Sequence, residues 1–113
     1  VESYSLGPLM VRHVVSRKLP RVTMQLVMDA GSRRESVGKL GVARLTADCL
    51  EEGTAKRDPL AIARELERLG ASISVDSGIE TVALSMRSLR STLRESTAIF
   101  ADILTDPRFE EGD

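Results

Sequence analysis

Leu9, Val11, Val14 and Val15 flank Arg12 and His13 and predict a short strand that ends at the charged run Ser16-Arg17-Lys18. Leu19-Pro20 turns the chain. Val22, Met24, Leu26 and Met28 then alternate with Thr23, Gln25 and Asp29, the period-two signature of a strand with one face on a core. Ala30-Gly31-Ser32 and Arg33-Arg34-Glu35 read as a loop, after which Leu40, Ala43, Ala47 and Leu50 recur at helical spacing up to Gly53. Asp58-Pro59 is an N-cap followed by proline at the first helical position. Leu60, Ile62, Ala63, Leu66 and Leu69 make the stripe of a second helix that stops at Gly70. Ile73 and Val75 alternate with Ser72, Ser74 and Asp76, and Ser77-Gly78 turns into Val82, Leu84 and Met86, which predicts a hairpin. Thr92 with Glu95 has the spacing of a capping box, and Leu93, Phe100, Ile103 and Leu104 carry a third helix up to Asp106-Pro107.

The predicted order is therefore ββααββα. Each amphipathic helix needs a surface for its stripe, so the elements imply an α+β domain: a two-layer sandwich with an antiparallel or mixed sheet and helices on one face. The Thr, Ser, Gln, Arg and Asp residues at alternate strand positions agree, since a sheet covered on both faces reads as continuous apolar runs. No internal repeat is visible.

At 113 residues the chain buries one modest core, so it reads as a single domain over 1–113. Its 42% hydrophobic content excludes disorder. A net charge of -1 and three aromatic residues, Tyr4, Phe100 and Phe109, argue against nucleic acid as a partner. There is no apolar run long enough for membrane insertion. A start at Val1 and a finish at Phe109-Glu110-Glu111-Gly112-Asp113, soon after a helical pattern, read as a processed product or an excised piece.

One histidine restricts the chemistry. His13 cannot supply a multi-histidine zinc site, and Cys49 with His13 has no recognisable ligand spacing. No Gly-x-Ser-x-Gly elbow accompanies a strand, and Gly38-Lys39-Leu40-Gly41 has neither the Walker nor the dinucleotide spacing. Cys49, beside an apolar stripe, reads as a small hydrophobe. Arg12, Arg17, Lys18 and Arg21 cluster on the predicted first hairpin, formed by the first two strands, and could steer an acidic partner, although a solvated face is the simpler reading.

The segment Gly41-Val42-Ala43-Arg44-Leu45-Thr46-Ala47-Asp48-Cys49-Leu50-Glu51-Glu52-Gly53-Thr54 resembles the first helix of the insulinase-like (pitrilysin-type) zinc metallopeptidases. That family includes mitochondrial processing peptidase and the core proteins of the cytochrome bc1 complex. In active members the stretch reads Gly-Leu-Ala-His-Phe-Leu-Glu-His-Met-Leu-Phe-Lys-Gly-Thr. Upstream, Ala30-Gly31-Ser32-Arg33 with Glu35 is similar to the family's turn; downstream, Glu67 to Gly70-Ala71 and Ala101-Asp102-Ile103-Leu104 with Pro107 and Phe109 are similar to two further family segments. The resemblance implies a mitochondrial processing peptidase-like metallohydrolase fold.

It also implies a lost active site. Arg44 stands where the His-x-x-Glu-His motif has its first zinc ligand, Ala47 where it has the general base, and Asp48 where it has the second ligand. At an effective dielectric of 20, a unit charge about 4 Å from a divalent cation of the same sign opposes it by roughly 8 kcal/mol. Asp48 offsets part of that at best, and it can pair with Arg44 instead at helical spacing. Ala47 has no carboxylate to activate water. The expectation is a chain with no catalytic, cofactor or metal residues of its own, with zinc held only by an active partner.

The function this implies is a non-catalytic insulinase-like subunit or half, bacterial, periplasmic or cytoplasmic, that helps to form a peptidase chamber. Its partner is the active subunit or a second half of the same protein, and the chamber admits a peptide substrate. The alternatives are a core-protein-like structural subunit of a larger complex, or a binding module that uses the basic first hairpin.

Overall fold

The computed structural model describes residues 1–109; the last four residues of the predicted 1–113 domain lie outside the described residues. Strand β1 (Glu2–Leu6) and β2 (Leu9–His13) pair antiparallel as a hairpin. A second antiparallel sheet holds β3 (Arg21–Met28), β4 (Ser72–Ser77) and β5 (Val82–Leu89) in the order β3-β5-β4. The helices are α1 (Val42–Leu50), α2 (Pro59–Leu69) and α3 (Leu93–Thr105), with 3-10 turns at Ser32–Arg34 and Arg90–Thr92. The α+β class and the three helices agree with the sequence reading.

The strands differ from it in three details. Glu2–Leu6 was not predicted as a strand, and the first two predicted strands do not form a hairpin with each other. β2 takes β1 as its partner, while β3 takes β5. The reason is geometric: Gly7, at a φ of 60°, closes a tight turn that returns the chain at once from β1. Strand β2 also stops at His13, so Val14 and Val15 lie outside it and are exposed.

Registry sorts the three-stranded sheet into two faces. Met24 lies opposite Met86 and Leu26 opposite Leu84, with Ile73 and Val75 across from the same two residues on the other side. This face meets the helices, and Leu84, Met86, Ile99 and Ile103 are almost fully buried there with Leu50, Ile62, Leu69 and Phe100. Each such aliphatic side chain contributes roughly 1.5–3 kcal/mol by leaving water. The other face carries Thr23, Gln25, Ser72, Ser74, Asp76 and Arg87, all exposed, so the helices cover one side only. Gln25 donates to the Ser85 hydroxyl at 3.2 Å across that open face.

The helix ends follow their sequences unevenly. At α2 the Asp58 carboxylate accepts from the Ala61 N–H at 2.7 Å, and Gly70 ends the helix in the left-handed conformation. At α3 the predicted capping box does not form. Thr92 makes no side-chain cap; its hydroxyl donates instead to the Leu69 carbonyl at 2.8 Å, which fastens the start of α3 to the end of α2.

Candidate functional site

Helix α1 begins after Gly41, which adopts a φ of 92° and, having no side chain, cannot cap the helix itself. The cap comes from upstream. Glu35 accepts the N–H of Gly41 at 2.9 Å and of Ala43 at 2.8 Å, placing a carboxylate where the first turn has orphan donors and a positive dipole end. Glu35 is itself held by the turn that precedes it. Gly31 donates to the Glu80 carbonyl, Ser32 to Gly78 at 3.0 Å and Arg33 to Ile79 at 2.9 Å, so the Ala-Gly-Ser-Arg stretch lies directly on the β4–β5 connection. A Cβ on Gly31 would sit 2.4 Å from the Ile79 carbonyl oxygen, which explains the glycine by close approach.

The same turn carries an ion-pair cluster. Arg34 grips both carboxylate oxygens of Asp29, and Arg33 adds a contact at 3.4 Å. The hydrogen bond from Arg34 holds the Asp29 carboxyl below the usual carboxylate range. Between this turn, α1 and the adjoining ends of β3 and β5 lies an open cleft of about 710 Å³, lined among others by Asp29, Arg34, Glu35, Lys39, Thr46 and Ala47.

The three motif positions divide between two surroundings. Ala47 is 2% exposed and turns its methyl group toward the cleft and the core. Arg44 and Asp48 lie on the solvent side, where Arg44 Nε donates to Asp48 Oδ1 at 3.3 Å across one helical turn. A residue three positions along a helix is rotated by about 60° from the first and one four along by about 40° the other way, which accounts for the division. These residues do not suit a zinc ion: one is a cation, one has no donor atom, and the remaining carboxylate is engaged by the cation. Among the described residues no group of three or more His, Cys, Asp or Glu side chains is placed to hold a metal.

His13 and Cys49 stand apart from this site. His13 is exposed on β2 with Nδ1 4.0 Å from Glu2 Oε2, and Cys49 is a half-buried free thiol of α1. The basic residues expected on a β2–β3 hairpin lie instead along the segment joining these two strands and at its ends. Glu51, just past α1, is pushed above the ordinary carboxyl range by burial, with Asp48, Asp76 and Glu52 adding repulsion and a backbone hydrogen bond from Val75 opposing it.

The other family-like segments meet at a second location. Thr54 is 3% exposed; its hydroxyl accepts from the N–H groups of Lys56 and Arg57 at 3.2 and 3.1 Å. Ala55 N–H donates to Asp106 and Arg108 N–H to the Gly53 carbonyl, so the Gly-Thr turn after α1 is stitched to the chain leaving α3. Arg57 pairs with Asp102 of α3, and Lys56 approaches the same carboxylate at 3.8 Å. The sequence reading noted Asp102 without its partners; an acidic residue on the family-like Ala-Asp segment and a Lys-Arg pair after Gly-Thr were the available signals.

Comparison with known proteins agrees with this geometry. The pattern of the family described as Insulinase (Peptidase family M16) matches residues 13–113. Over 89 residues the chain is 30% identical to a probable mitochondrial-processing peptidase subunit beta of Arabidopsis thaliana, a match covering 79% of this chain and 17% of the relative. It is 27% identical over 94 residues to a non-peptidase homologue of Helicobacter pylori, covering 83% of this chain and 22% of that protein. Among solved structures it is similar to a peptidase M16 inactive domain from Pseudomonas fluorescens, with a TM-score of 0.91 and 32% identity over 98% of this chain and 27% of that one. The chain thus spans between 17% and 27% of the length of these relatives. With a profile match over nearly all of its residues and a near-complete structural overlay, the chain belongs to the insulinase (M16) peptidase family.

Proposed function

We propose that the chain is part of a non-catalytic insulinase-family subunit or half, one that shapes a peptidase chamber with a partner whose zinc motif is intact. The observation that carries this is the Arg44–Asp48 ion pair above a buried Ala47: the helix offers a guanidinium where a metal needs a lone pair, and a methyl group where water needs a base. Its likeness to a domain described as inactive and to a non-peptidase homologue supports the reading. Its likeness to a processing-peptidase subunit fits an assembly built from related subunits.

What such a subunit contributes is a rigid wall. Glu35 fixes the start of α1, the Gly53-Thr54 turn fixes its exit, and Asp102 ties that exit to α3. The test is to express the full-length protein that contains this chain with and without an intact-motif family member. For a separate subunit the reading predicts peptide hydrolysis only in the mixture and co-elution of the two proteins; for one half of a longer protein it predicts hydrolysis that substitution of Arg44 or Asp48 leaves in place. Hydrolysis by the full-length protein alone that survives repurification and is abolished by a substitution in α1 would overturn it.

A further inference from the structure

We draw no further inference here: the strongest candidate, the open cleft between α1 and the turn carrying Asp29, Arg34 and Glu35, belongs to the site already described and nothing in the structure shows what covers it.

Discussion

Glu35 accepts the N–H of Ala43 at 2.8 Å from eight residues upstream, so the first turn of α1 is capped by a residue outside its own helix. Removing that carboxylate leaves two donors of the turn to find water. Glu35→Ala should therefore lower stability by about 1 kcal/mol, in the range of a lost N-cap, while Glu35→Gln, which keeps an acceptor oxygen, should lose less. Urea denaturation of both variants checks the order.

Gly31 tests the close approach of the turn to the β4–β5 connection. Its φ of -74° is one that any residue adopts, so a substitution acts through contact alone. A Cβ 2.4 Å from the Ile79 carbonyl oxygen forces backbone apart, and Gly31→Ala should cost about 1–3 kcal/mol. The measurement is the shift in the urea midpoint at unchanged m-value.

Asp102 joins α3 to the loop after α1 through Arg57, and its side chain is only 17% exposed. Asp102→Ala strands a partly buried guanidinium and should destabilise by about 1–3 kcal/mol. Replacing Arg57 and Asp102 together should cost less than the sum of the two single changes, which a double-mutant cycle measures directly.

Glu51 predicts a pH dependence of definite sign. Burial raises its folded-state pKa, so its contribution favours the folded state at acid pH and is lost as pH rises from the ordinary carboxyl range through the raised value. Glu51→Gln should match wild type near pH 3, as far as this residue is concerned, and exceed it at pH 7. Because the group is largely exposed, the gain is under about 1 kcal/mol. Asp29 works in the opposite direction: its carboxyl is depressed by Arg34, and its stabilising share fades as pH falls below the ordinary carboxyl range.

The fold was legible wherever one face of an element meets the core. Helix α2 announces both ends, Asp58-Pro59 and Gly70, and its bounds are as read. Strand β3 alternates strictly because its two faces differ in burial. Strand β1 escaped notice because all five of its residues are exposed, which leaves no burial period to detect. The capping box at Thr92 failed because a 3-10 turn leads into the helix and holds Thr92 at φ -112° and ψ 12°, away from the extended conformation of an N-cap, while its hydroxyl donates to the Leu69 carbonyl. At the site, the i,i+4 spacing of Arg44 and Asp48 was enough to anticipate their pairing. The buried side of Ala47 was legible as well, since it lies on the apolar stripe with Ala43 and Leu50, whereas the cleft beside it required the packing of α1 against the sheet.

The central claim is that the helix has exchanged its metal-binding chemistry for an internal ion pair. The most direct measurement is the zinc content of the purified full-length protein after dialysis against the metal, set beside a variant carrying R44H, A47E and D48H. The account predicts no zinc held by this helix, so that the wild-type content equals that of an Asp48→Ala variant, and additional uptake in the triple variant. One zinc per molecule in the wild-type protein, lost on Asp48→Ala, would contradict it.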